Sequence, residues 1–251
     1  MKKHHSYITA VAALVLALGC GMFVANFRTA EATAKTAHFA RPAQTPSAPK
    51  TALVDLTLFS AMADQRVVDA VKNDLATCEA ALNSAGVVFK PVANLQEGQC
   101  GYQDAIEVKA SLADFTPNAG APKDLPMTCD LAARLHMWER HIVIPAAEKY
   151  LGSPVKEIKA FGTFQCRNVA DTDKLSEHAY AKAADIASFV LADGREITVL
   201  DDFYSKDAKG DFLREVRQRA CDLFDVTLGP DYNEAHKNHF HVDVGGDHAC
   251  R

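Results

Sequence analysis

Six cysteines lie between residues 78 and 250: Cys78, Cys100, Cys129, Cys166, Cys221 and Cys250. None of them forms a C-x-x-C pair. That spacing argues against a thiolate zinc site or a thioredoxin-like redox motif. An even number of scattered cysteines instead reads as three disulfides, provided the segment folds in an oxidising compartment. The N-terminus supplies that condition. After the basic head "MKKHH", the run from Tyr7 to Phe27 is 21 residues without a charge, and the seventh cysteine, Cys20, lies inside it. About 20 apolar helical residues cross a hydrocarbon core of ~30 Å. Lys2 and Lys3 ahead of the run keep the head in the cytoplasm and send the rest across. The run exceeds the ~7–15 apolar residues of a cleaved signal, so an uncleaved inner-membrane anchor is favoured. Lipidation at Cys20 in "LALGC" and cleavage near "ANFRTAEATA" are the two alternatives. All three fates make the main domain periplasmic or otherwise extracytoplasmic. The simplest pairing joins neighbours along the chain, Cys78–Cys100, Cys129–Cys166 and Cys221–Cys250.

The formal net charge of -5 and a pI near 6.0, without Lys/Arg clusters, exclude nucleic acid as a partner on electrostatic grounds. An apolar content of 48% is enough for a packed core. The chain divides into a membrane anchor or signal segment (1–27), an Ala/Thr/Pro-rich disordered linker (28–51) that ends in "ARPAQTPSAPK", and a globular domain (52–251), expected to be a monomer.

Within the domain, "DLATCEAALNSAG" has helical spacing, with Leu75, Cys78 and Leu82 on one stripe and Gly86 as a stop. "VVFKPV" is a short strand. "TCDLAARLHMWERHIVIPAAEKYLG" is helical, interrupted near Pro145 and ended by Gly152. "VKEIKAFGTFQCR" is a strand, and "ADIASFVLADGREITVL" is a hairpin turning at Asp193-Gly194. "GDFLREVRQRACDLF" is an amphipathic helix with Phe212, Val216, Ala220 and Phe224 on one side, and "HFHVDV" is the last strand. Helices mixed with hairpin-linked strands predict an α+β fold with a mainly antiparallel sheet flanked by helices.

In "NHFHVDV", a period of two puts His239 and His241 on one face of a strand. Alone, that pattern fits surface or hydrogen-bonded histidines better than a metal site. A second segment supplies partners: "SEHAYAKAADI" holds His178 and Asp185 seven residues apart, with small residues between them that permit a tight turn. Asp185 enters the apolar run "DIASFV", where a partly buried carboxylate needs a partner or a metal. Two imidazoles and one carboxylate make a three-ligand zinc set of the catalytic type, which leaves one position open.

"SEHAYAKAADI" followed by "HKNHFHVD" resembles the zinc peptidases of peptidoglycan, the D-Ala-D-Ala carboxypeptidases and penicillin-insensitive murein endopeptidases. A closer resemblance is to the bacterial extensin-like C-terminal domain family. It is carried by "CDLAARLHMWERHIVIPAAEKYLG", "GTFQCR", "FLREVRQRACDLF", "LGPDYNEAHKNHFHVD" and the final "CR", and it covers roughly residues 75–251. The resemblance implies the fold of those zinc peptidases, zinc as cofactor, and ligands at His178, Asp185 and His241. It places His239 beside the metal as general base or transition-state stabiliser and Arg167 as the group that binds the substrate carboxylate or oxyanion. His236 matches the first histidine of an H-x-x-H-x-H run. The implied activity is hydrolysis of an amide bond in D-Ala-containing stem peptides or cross-links of peptidoglycan. The alternative from another class is a non-catalytic wall-binding module with a structural zinc site. One departure stands out: Ala181 occupies the position of the family's glycine, which costs about 1 kcal/mol if the backbone there needs positive φ.

Other candidates fit plainer roles. His136 and His141 in "HMWERH" are five apart, not the four of H-E-x-x-H, and read as helix-surface residues with Trp138 packing inward. Asp201 and Asp202 suit a solvated turn, and His248 suits a tail. Asp243 shares the strand face of His241 and can orient an imidazole or be solvated. Ser176 has no base fixed beside it, and so shapes the loop before His178.

Overall fold

The computed structural model describes residues 54–57, 67–72 and 74–251, all within one unit spanning Lys50–Arg251. The anchor and linker expected over 1–27 and 28–51 lie outside the described residues. Among the described residues no helix is long and apolar enough to cross a membrane. The strands are β1 (Val88–Pro91), β2 (Leu95–Glu97), β3 (Cys100–Tyr102), β4 (Ile106–Ala110), β5 (Asp114–Pro117), β6 (Val155–Gly162), β7 (Ala183–Leu191), β8 (Glu196–Thr198), β9 (Val226–Leu228), β10 (Phe240–Asp243) and β11 (Ala249–Cys250). The α+β fold expected from the sequence is present. β1–β4 and β2–β3 form two small antiparallel pairs, and the main sheet has seven strands in the order β11-β9-β10-β7-β6-β5, with β8 also on β7.

Strand β7 is the axis of that sheet. Seven of its nine residues are buried, the pattern of a strand covered on both faces. β6 lies along one side of it, and β10 and β8 share the other, all antiparallel. Only the outer pairs β5–β6 and β9–β11 are parallel. The hairpin turn falls where it was expected, with Gly194 at φ 93° after Asp193.

Helix α1 (Leu75–Ser84) is capped by Asp74, whose carboxylate accepts the Ala76 N–H. Its buried stripe runs through Cys78, Ala81 and Leu82, while Leu75, expected on that stripe, is 39% exposed. Helix α2 (Cys129–Trp138) passes into a π-helical turn, Glu139–Val143, and then into α3 (Ile144–Leu151). The cause is Pro145. It has no N–H to give, and the ladder widens just before it, where the Ile144 N–H reaches back five residues to the Glu139 carbonyl. Gly152 ends α3 in the left-handed region at φ 67°. Helix α5 (Ala208–Ala220), which follows the single turn α4 (Val199–Asp202), buries Phe212, Val216 and Ala220. Helices and sheet meet around Trp138, whose ring lies 5.8 Å from Phe189 and 6.3 Å from Phe224 and whose indole N–H donates to the Val216 carbonyl at 3.0 Å.

Three disulfides form, but only Cys221–Cys250 joins the expected partners; the others are Cys78–Cys129 and Cys100–Cys166. The pairings Cys78–Cys100 and Cys129–Cys166 are therefore corrected. α1 packs on α2 across the intervening hairpins, which brings Cys78 within 6.1 Å of Cys129 between Cα atoms. The β2–β3 hairpin in turn presents Cys100 to the segment that leaves β6.

Candidate metal centre

The site begins with strand register. β10 runs antiparallel to β7 with His241 directly opposite Asp185, so the two side chains meet on one face. On the other side of Asp185 the β6 partner is Gly162, which has no side chain to compete for the space. His178 arrives from a 3₁₀ turn, Glu177–Tyr180. Ser176 caps that turn, with its Oγ accepting the His178 N–H at 3.4 Å. The turn closes at Ala181, which adopts φ 54°, ψ 31°. The position does need positive φ, and Ala carries that strain in place of glycine.

Three atoms converge. His178 Nε2 is 3.1 Å from Asp185 Oδ1 and 3.2 Å from His241 Nδ1, and His241 Nδ1 is 3.0 Å from Asp185 Oδ1. The outer nitrogens fix the tautomers. His178 Nδ1 faces the Thr163 carbonyl at 3.2 Å, and a carbonyl can only accept, so Nδ1 carries the proton. His241 Nε2 donates in the same way to Asp243 Oδ2 at 3.1 Å. A ring that carries only this outer proton points a lone pair inward, beside a carboxylate oxygen. Three acceptors this close repel unless a cation lies among them. Tetrahedral zinc ligands at about 2.0–2.1 Å from the ion are about 3.3 Å apart, close to the three observed edges. The donor set thus fits zinc. Among the described residues, this is the group of His, Cys, Asp and Glu side chains able to hold a metal ion.

In the absence of a metal, a proton serves instead. Burial opposes charge on His241, but its hydrogen bonds to Asp185 and Asp243 outweigh burial and hold its pKa up at about 9. Asp185 is half-buried, which opposes its charge, yet its bonds to His178 and His241 keep it ionised, far below the usual carboxylate range. Asp243 lies two residues beyond His241 on the same strand face and is 5% exposed. Its Oδ1 accepts the Gly245 N–H at 3.0 Å, so both oxygens are fixed and the His241 ring is held by a rigid partner.

His239 lies just before β10, with Nε2 3.5 Å from Asp185 Oδ1 and thus beside the three converging atoms rather than among them. Its Nδ1 bonds Asn238 Oδ1 at 2.8 Å, which leaves Nε2 free to accept a proton. Burial, above all, depresses its pKa below the ordinary histidine value, so at neutral pH the ring is a neutral base. His236 stands behind it, 5.1 Å away between ring centroids, with Tyr232 5.4 Å beyond. His236 Nδ1 bonds Asn233 Oδ1 at 2.6 Å, and burial first, then His239 and His241, lower its pKa to about 4. Arg167 is exposed; its guanidinium bonds Gln165 Oε1 at 2.8 Å and the Asn168 carbonyl at 3.3 Å, near enough for its charge to depress both His236 and His239.

The sequence reading missed Asn238, Asn233 and the Thr163 carbonyl, which set the ring orientations. The asparagines left a signal, since Asn238 adjoins His239 and Asn233 lies three residues before His236. The Thr163 carbonyl left none, because any residue supplies a carbonyl there. His136 also needs correction: it is not on the surface but 2% exposed, with Nδ1 3.0 Å from Ser111 Oγ, which also donates to Glu139 Oε2 at 2.5 Å. His141 Nε2 meets the Leu56 carbonyl at 3.0 Å. Asp201 and Asp202 are spent on Thr198 and Lys209 at the start of α4.

The model of the extensin-like protein C-terminus matches residues 76–251. The chain belongs to that extensin-like family. No curated protein and no solved structure gave a match. The family's match takes in the whole centre, from Cys78 at the first disulfide to His241.

Proposed function

We propose that this extensin-like domain is a zinc metallopeptidase of the bacterial cell wall, with the fold type of the D-Ala-D-Ala carboxypeptidases and murein endopeptidases. On this reading it hydrolyses an amide bond in D-Ala-containing peptidoglycan peptides, as a monomer in the periplasm, tethered to the inner membrane by residues 1–27. The observation that carries the proposal is the convergence of three acceptor atoms, from His178, Asp185 and His241, with a third histidine, His239, free to accept a proton alongside. A structural site closes around its metal, whereas here the adjacent place is taken by His239, whose Nε2 lies 3.5 Å from Asp185 Oδ1.

Bound zinc supplies Lewis acidity, which polarises a carbonyl and makes water acidic enough to attack near neutral pH. The chain's own residues do the rest. His178, Asp185 and His241 hold the ion, and Thr163 and Asp243 keep the two rings in the metal-binding tautomer. His239 Nε2 takes the proton of the attacking water and returns it to the leaving amine. Its depressed pKa keeps it neutral and ready for the first of these steps. Arg167 meets the negative charge of the substrate carboxylate or of the developing oxyanion. The disulfides support an oxidising compartment. Mass spectrometry of purified muropeptides incubated with the zinc-loaded protein tests the activity. Products smaller by a D-Ala, or cross-links split with gain of water, are expected with the wild type and not with His239→Ala. Zinc uptake without any cleavage transfers the centre to a wall-binding module.

A further inference from the structure

Among the described residues, the Arg167 side chain has no hydrogen-bond partner outside its own loop. Its side chain is exposed and bonds only Gln165 Oε1 and the Asn168 carbonyl, both within two residues. Its position at the rim of the metal centre therefore depends on where the loop is held. Besides the exposed ion pair of Lys174 with Asp247, three contacts hold it. The Gln165 N–H donates to the His178 carbonyl at 3.1 Å, and the Ser176 N–H donates to the Arg167 carbonyl at 3.1 Å. The third is covalent: Cys166, next to Arg167, is bonded to Cys100 on β3, 66 residues earlier. β3 packs against the 3₁₀ turn that carries His178, and Tyr102 at its end meets Phe164 edge-on at 5.2 Å between centroids. The Cys100 side is buried at 2%, so one end of the link is fixed in the fold while the other holds an exposed loop.

We propose that the Cys100–Cys166 disulfide is a positioning device for Arg167: it fastens residues 165–176 to the β2–β3 hairpin, and the metal ligands do not depend on it. The ligands are held by other contacts: Asp185 and His241 by β7–β10 register, and His178 by the Thr163 carbonyl, which accepts from its Nδ1 ahead of the fastened segment. The role assigned to Arg167 rests on the peptidase reading, but the mechanical claim does not.

The test compares the full-chain wild type with Cys100→Ala/Cys166→Ala, Arg167→Ala and their combination. Zinc stoichiometry is expected to be unchanged in all four. Amide hydrogen exchange at Gln165 and Ser176 is expected to rise at least about tenfold in the cysteine variant, with the β7–β10 ladder still protected. The kcat/KM for muropeptide cleavage is expected to fall to the level of Arg167→Ala, and the combined variant to fall no further, because both changes remove one contribution. Unchanged exchange at Gln165 and Ser176, loss of zinc, or additive losses in the combination each overturn the proposal. Should the wild type cleave nothing, the peptidase reading fails by itself, and the exchange measurement still decides whether the disulfide holds the loop.

Discussion

Two of the clusters of buried ionisable groups among the described residues differ in their supply of donors. Arg134 is 1% exposed and reaches Asp130 with two nitrogens at 2.8 and 3.1 Å, Asp225 at 2.9 Å and the Leu223 carbonyl at 2.9 Å. Its planar head donates to both carboxylates, and Asp225 Oδ2, which accepts no hydrogen bond, faces the Lys72 ammonium at 3.5 Å, so each charge in that cluster has a counter-charge. Around Asp185 the two imidazole protons are spent outward, on Thr163 and Asp243, and the inward atoms are all acceptors. The first cluster ties α2 to the segment leading into β9. The second is the group that could hold a metal ion. Burial and charge are shared by both, so neither marks a functional site; the direction of the hydrogen bonds does.

The contrast can be broken by substitution. Removing a converging acceptor should have the largest effect: Asp185→Ala or His178→Ala is expected to abolish stoichiometric zinc and cleavage together, read by elemental analysis of the purified protein. His239→Ala comes next, with full zinc content but a loss of about 10²–10⁴-fold in kcat, the usual size of a general-base contribution. A fall in zinc with that variant would move His239 among the ligands. Arg134→Ala, in the self-satisfied cluster, is expected to leave the centre's chemistry intact while costing about 3–5 kcal/mol in denaturant unfolding, because two carboxylates lose their partner.

Sequence legibility followed the same division. The H-x-H strand and the "SEHAYAKAADI" turn were readable because strand period and tight-turn composition are local properties of His239, His241, His178 and Asp185. The hairpin at Asp193-Gly194 and the break at Pro145 were readable for the same reason. The pairings Cys78–Cys129 and Cys100–Cys166 were not, since they depend on how α1, α2 and the β2–β3 hairpin stack. The short strands β2 to β5 hide in polar sequence, and β9 and β11 have only three and two residues. His136 looked like a surface residue because its partners, Ser111 and Glu139, come from a loop and a π turn with no helical signature of their own.

Protonation distinguishes the clusters more gently. His241 rises from 6.5 to about 9 in the folded, metal-free protein. A raised base binds its proton more tightly when folded, so this contribution to stability is complete below about pH 6.5 and fades as pH climbs through about 9. Zinc replaces that proton. The gap in melting temperature between zinc-loaded and chelator-stripped protein should therefore widen from pH 6.5 to 9, and a constant gap would contradict the protonated cluster. The smallest effect belongs to Ala181→Gly, which relieves positive φ but loses a buried methyl and frees the unfolded chain. Its net change in stability should stay below about 1 kcal/mol, with zinc content unaltered.

The central claim is that two imidazoles and one carboxylate hold a zinc ion. Zinc-edge X-ray absorption of the purified protein examines that shell directly. The expected result is one zinc per chain with only nitrogen and oxygen neighbours at about 2.0–2.1 Å, two of them imidazole, a pattern that disappears in Asp185→Ala. Sulfur scattering at about 2.3 Å, or a wild-type protein that takes up no zinc, contradicts the account.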